Sequence, residues 1–311
     1  MTTVQNFAEQ LLCGTHLSDK CLAPVGLDYD SAHSSFAVPI RPGRPKHLQF
    51  SEERLPFPRS FAAEHSRAQA LHFFANHELL AIELMALCLL KFPNAPIPFQ
   101  KGLVHTITEE QEHLRLYLER LQELGGEVGD VPVNGFFWDC LSGMTDPMDF
   151  VVGMSMTFEQ ANLDHCIHYG KLFGDVGDQR TVEILDQVYR DEIRHLRHGL
   201  HWFRKWKVPT EADFFVHEQS LRLPMSVMRA KGLTFDRQGR ERAGFDTDYI
   251  NHLEVYSLSK GRPSNVYVFT PNVELDHANQ QPKKIALLME QALAPLMMVL
   301  CKKDDIVLSA P

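Results

Sequence analysis

The sequence predicts a mainly α-helical protein: a four-helix bundle, with an irregular N-terminal arm before it and a small α/β segment after it. Three observations carry that prediction. Four stretches repeat apolar residues at helical period and stop at proline or glycine signals. Two of them carry the same tetrad pattern, Glu110-Gln111-Glu112-His113 and Glu192-Ile193-Arg194-His195, each led by a lone glutamate: Glu78 by 32 residues and Glu159 by 33. The stretch between the second and third, residues 126–146, is too long for a tight hairpin and reads as a crossover connection.

In chain order, residues 3–13 read as a short amphipathic helix with Phe7, Leu11 and Leu12 on its apolar side. Residues 14–59 hold PIRPGRPKH and LPFP, a proline density that forbids long helices. They read as an ordered arm anchored by Phe36, Val38, Ile40, Leu48 and Phe50. The first long helix covers about residues 60–92 and is apolar nearly all round, as a buried helix is. Glu78 lies inside its stripe. Glu83 competes, but five residues on it points about 140° away; the spacing to Glu110 favours Glu78. The second helix spans about 102–124 and ends at Gly125-Gly126. The third starts near Pro147, with Val152, Ser155, Met156, Glu159, Asn162, Leu163 and Cys166 inward, and the fourth runs from about 179 to 206. The resulting divisions are an arm (1–59), the bundle (60–206), a helical extension (207–262) broken by Pro224 and the polar run DRQGRERAG, and a βαβ-like segment (263–311).

Composition narrows the function classes. Hydrophobic residues make up 44% and charged residues 23%, the balance of a globular protein. A net charge of -9 provides no electrostatic footprint for a nucleic-acid backbone. The six cysteines are scattered without a CxxC pair, so neither a zinc knuckle nor a disulfide framework is indicated. No signal core opens the chain and no uninterrupted apolar run reaches membrane-spanning length, so the expectation is a cytoplasmic protein with no membrane partner.

A glutamate and a histidine three residues apart share a helix face and can grip one metal ion together. One glutamate from each of two helices plus Glu-x-x-His from each of two others is the ligand set of di-iron and di-manganese carboxylate proteins. Four carboxylates in one core carry a large desolvation cost unless cations cancel their charge. Oxygen-rich ligation with one imidazole per metal suits iron or manganese. The expected cofactor is therefore two iron ions, with manganese or a mixed manganese–iron pair using the same ligands.

Four stretches, HFFANHELLAIELMA (72–86), EEQEH (109–113), MSMTFEQANLD (154–164) and DEIRH (191–195), resemble an uncharacterised bacterial ferritin-like family, distantly similar to the diiron tRNA hydroxylase and other non-haem diiron oxygenases. The resemblance covers about residues 35–235 and implies a ferritin-like bundle with a carboxylate-bridged dimetal site. Its metal ligands would be Glu78, Glu110, His113, Glu159, Glu192 and His195. Glu109 and Asp191 precede the two tetrads, as acids do that hold a ligand histidine by its far nitrogen. Glu83 and Asp164, each five residues beyond a lone glutamate, form a second internal pair placed as supporting groups. The implied activity is an O2-dependent diiron oxidase or monooxygenase acting on an unidentified small or macromolecular substrate, with an electron-donor protein as a further partner. A ferroxidase or metal-handling protein and a tRNA-modifying hydroxylase are the alternatives. Met156, Phe158, Tyr117 and Phe74 are the expected pocket lining.

Overall fold

In a computed structural model, the protein is described over residues 2–30, 36–53, 55–257, 266–269 and 306–309. It is mainly helical. Residues 1–254 form one compact unit and residues 255–311 a second. In the second unit, strands β1 (Val266–Phe269) and β2 (Ile306–Ser309) pair in parallel, Val266 opposite Ile306. The helix expected between them lies outside the described residues.

Helix α1 (Val4–Cys13) begins where the Thr3 hydroxyl accepts the Asn6 amide at 3.1 Å. It buries Val4, Phe7, Ala8, Leu11 and Leu12 against helix α2 (Glu64–Lys91). The arm that follows is anchored differently from the sequence expectation. Leu48 is buried, but Ile40 is 90% exposed and Val38 42%. The arm is pinned instead by charge: Arg44 and Lys20, both buried, clasp Glu83 of α2 at 2.6 and 3.2 Å.

Helix α2 is apolar enough to cross a membrane, with a mean hydropathy of 1.6 over its richest window, yet 83% of that window is buried inside the protein. It is a core helix. Helix α3 (Ile97–Glu123) starts five residues before the expected Gly102, because Pro98 suits a first turn and helps start the helix. It stops at Gly125, whose φ of 73° only glycine adopts readily. The crossover carries helix α4 (Phe136–Leu141). Helix α5 (Pro147–Phe150) opens on a reciprocal cap: Asp146 accepts the Met148 amide at 2.8 Å while Asp149 accepts the Asp146 amide at 3.2 Å. Without a break the chain then winds through nine residues of π-helix (Val151–Glu159) into helix α6 (Gln160–Asp175). Helix α7 (Gln179–Trp206) is capped by Asp178, which accepts the Thr181 amide at 3.1 Å.

The long rods α2, α3 and α7 and the continuous helix of residues 147–175 pack side by side: α2 on α3, α3 on α7, and α7 along the π-helix and α6. Helices α8 (Asp213–Ser220), α9 (Arg237–Ala243) and α10 (Thr247–Val255) follow. The polar run expected to break helices is α9 itself. Asp236 caps it by accepting the Gly239 amide at 3.1 Å, Gly244 closes it at φ 102°, and buried Arg240 turns its inner face into an ion-pair donor.

Candidate metal centre

Six side chains from four rods converge between α2, α3, the π-helix and α7. Two overlapping groups emerge, Glu78–Glu110–His113 and Glu110–Glu159–His195, in each of which the ligand atoms lie within 4.8 Å of one another. Glu110 belongs to both. Glu192 joins through His195, whose Nδ1 lies 3.4 Å from Glu192 Oε2 and 3.3 Å from Glu110 Oε1. All six are buried. Glu78, not Glu83, is the α2 member.

Both histidines turn Nδ1 toward the carboxylates and Nε2 away from them. His113 Nδ1 meets Glu110 Oε2 at 3.1 Å and His195 Nδ1 faces Glu110 and Glu192. The far nitrogens are held crosswise. His113 on α3 donates to Asp191 on α7 at 3.0 Å, and His195 on α7 donates to Glu109 on α3 at 2.9 Å. Each acid thus serves the histidine of the other tetrad. Arg194 ties the two acids together, binding Glu109 at 2.5 Å and also Asp191. The far-nitrogen bond fixes ring direction and leaves Nδ1 for a ligand.

The electrostatics are those of a site whose charges are balanced by protons. Burial pushes Glu78 well above the usual carboxylate range, and the neighbouring Glu110 pushes it further. Burial raises Glu159 to about 8 against the pull of His195. Burial also raises Glu192. Burial works against a charged Glu110 too, but the hydrogen bond from His113 and the nearby His195 imidazole, 3.3 Å away, outweigh it and hold Glu110 ionised. In turn His113 rises to about 9: burial opposes its charge, while Asp191 and Glu110 stabilise it. Glu109 falls to about 2, because bonds from His195 and Arg194 overcome its burial.

The donor set could hold a metal ion. Among the described residues, Glu192 Oε2 and His195 Nδ1 are fully buried without a hydrogen-bond partner, though they lie near each other. Stranded buried polar atoms cost roughly 1–3 kcal/mol each, and a shared cation would satisfy both. Glu192 Oε1 accepts the Asn162 amide at 2.8 Å.

Glu83 and Asp164 do not touch this cluster. Each is consumed by a buried arginine arriving from outside the rods: Glu83 by Arg44, and Asp164 by Arg240 in a two-pronged pair at 2.7 and 2.9 Å, with the Gly232 and Asp236 amides added. The internal repeat is real, but its second pair locks the arm and the extension onto the rods rather than supporting the ligands. His198, three residues after His195, stacks on Phe99 at 5.8 Å instead of joining the site.

Sequence reasoning did not assign roles to three groups. Arg194 sits inside the second tetrad with nothing in the pattern to mark it. Asn162 follows Glu159 by three residues, a spacing that could have flagged it. The π-helix that ends at Glu159 is held by a buried chain of hydrogen bonds from the extension. Thr157 donates to the Val152 carbonyl at 2.8 Å, so its oxygen accepts His217 Nε2–H at 2.9 Å, and His217 Nδ1 accepts the Tyr249 hydroxyl at 2.8 Å. Tyr249 has then spent its proton and takes one from the Gln160 amide at 2.9 Å, an amide that also donates to the Met156 carbonyl at 2.6 Å. Single-turn π geometry within α-helices concentrates at functional sites.

A cavity of about 670 Å³ has Asn162, the donor to Glu192, in its lining. Of the four residues expected to line a pocket, Phe158 does so; Phe74, Tyr117 and Met156 are not in its wall.

Residues 4–251 match a family described as "Protein of unknown function (DUF455)". An uncharacterised protein of Haemophilus influenzae is 28% identical over 207 residues, covering 63% of this chain and 72% of the relative. No solved structure matches the chain.

Proposed function

The chain belongs to the DUF455 family of proteins of unknown function, and from that premise we propose that this member is a ferritin-like diiron oxidoreductase that uses O2 to oxidise or hydroxylate an organic substrate. Glu78, Glu110 and His113 would hold one iron and Glu159, Glu192 and His195 the other, with Glu110 between them. A bound iron pair supplies the reduction of dioxygen, chemistry no side chain offers. The chain's own residues do the rest. Asp191 and Glu109 hold the two imidazoles with Nδ1 turned inward. Asn162 orients Glu192. The protons resting on Glu78 and Glu159 are those that cation binding would release. Apolar neighbours such as Ile107, Leu114 and Leu196, all buried, exclude water around the cluster.

The single observation that carries an organic substrate is the cavity at Asn162, one hydrogen bond from Glu192. Its volume is that of a small-molecule site, roughly 300–1,000 Å³; handling iron alone needs no such room. Hydroxylation sends one oxygen atom of O2 into the substrate and the other to water, so two electrons must come from an external donor. The test is to load the protein anaerobically with ferrous iron and mix it with oxygenated buffer. Uptake of about one O2 per iron pair, with iron held at a pair per chain, supports the reading. Iron accumulating far beyond a pair, or no O2 uptake, overturns it.

A further inference from the structure

The cavity has chemistry of its own, distinct from the ligands behind it. One wall is a stack of flat rings: Phe137 lies between Phe158, at 3.9 Å with 15° between planes, and His77, at 4.8 Å with 22° between planes. Phe136 extends this wall, edge-on to Phe158 at 6.2 Å. Over the face of Phe136, at 4.2 Å, sits the Arg229 guanidinium.

Arg229 differs from the other cations in the lining. Arg41 is matched by Asp139 at 2.8 Å, and the Lys231 ammonium is held by the Leu253 and Glu254 carbonyls at 2.6 and 2.8 Å. Arg229 has no carboxylate partner among the described residues. Glu52 and Glu53, the remaining acids of the lining, are on the exposed arm. A guanidinium over a ring face keeps its N–H fork free in its own plane, the arrangement that grips a carboxylate or phosphate in two-pronged fashion.

The geometry points to a planar aromatic acid as the ligand of this cavity: a ring system packed along the edge of the His77–Phe137–Phe158 stack, a carboxylate or phosphate on Arg229, and the ring's edge toward Asn162. As a statement of substrate class it rests on the diiron reading above; as a statement of binding it does not, because none of these residues is a metal ligand.

The test measures binding of four probes to the full chain by titration calorimetry, with and without added metal: 2-naphthoate, 2-naphthyl phosphate, neutral 2-naphthamide and the non-aromatic anion octanoate. Expected is binding of naphthoate or naphthyl phosphate at least about tenfold tighter than of the amide and of octanoate. Which anion wins distinguishes a carboxylate from a phosphate ligand. Arg229→Gln should erase the anion's advantage without changing the amide's affinity, and Arg229→Lys should restore part of it. Equal binding of acid and amide, an unaffected Arg229→Gln protein, or no binding of either aromatic anion at millimolar concentration overturns the proposal. Anion binding that persists in a chain that takes up no iron pair sinks the diiron reading and leaves this one standing.

Discussion

Replacing Asp191 by Asn should weaken one metal position and spare the other, and the crosswise bonding decides which. Asp191 is carried by α7, four residues before His195 on the same helix, yet it accepts from His113 on α3 at 3.0 Å. Asparagine retains an acceptor oxygen but not the charge, and a charge-assisted bond is roughly twice as strong as a neutral one. Loss of such an outer partner costs about 10–100-fold in metal affinity, or about 1.4–2.7 kcal/mol, and Asp191→Asn belongs near the lower end. The loss should fall on the cation beside Glu78, Glu110 and His113. Anaerobic manganese titration against a fluorescent chelator measures it, and a double-mutant cycle locates it. In a His113→Ala background Asp191→Asn should add nothing; in a His195→Ala background it should exert its full effect. If the pattern is reversed, with the asparagine silent beside His195→Ala, each acid serves its own tetrad and the crosswise account is wrong.

Three other perturbations follow from the same geometry. Arg240→Met strands Asp164 at zero exposure with only two backbone amides left to it, which should cost about 3 kcal/mol and lower Tm by several degrees; a calorimetric Tm within a degree of wild type would refute it. His217 is held neutral by burial, down to about 3, so the folded state binds fewer protons than the unfolded one below the ordinary histidine value near 6.5. Stability from this residue is therefore present at neutral pH and lost as pH falls, about 2 kcal/mol between pH 7 and pH 5; in urea melts, His217→Gln should flatten that slope, and an unchanged slope would remove His217 as its cause. Metal addition to the unloaded chain should release protons, detectable with a pH indicator in weak buffer, because Glu78 and Glu159 carry raised values that a cation would pull down; binding without proton release would contradict the proton-balanced description of the site.

Much of the site was legible because helical period and residue type act locally. Glu110 and His113 share a face for the same reason that Glu192 and His195 do, and Glu78 prevails over Glu83 because five residues carry a side chain well round the helix. What was not legible depends on partners far along the chain. Arg44 and Arg240 look like surface charges in sequence, and their burial follows only from Glu83 and Asp164, 39 and 76 residues away. The run around Arg240 reads as a break for that reason, although it is α9. Ile40 and Val38 look like anchors by hydropathy, yet the arm is secured by its ion pairs with Glu83, so these two face solvent. Nothing in Val151–Glu159 announces a π-helix; the wider turns are held by Thr157, His217, Tyr249 and Gln160, contributed partly by an extension that begins after the bundle. The crosswise pairing of Glu109 and Asp191 needs the distance between α3 and α7, which no spacing within either helix contains.

Metal analysis of the chain purified without oxygen and supplied with ferrous iron, set beside the same analysis of Glu110→Ala, bears most directly on the centre itself. A pair of ions per chain in the first and loss of that pair in the second is the predicted result, since Glu110 is common to both groups of ligands. An ion content that Glu110→Ala leaves unchanged would contradict it.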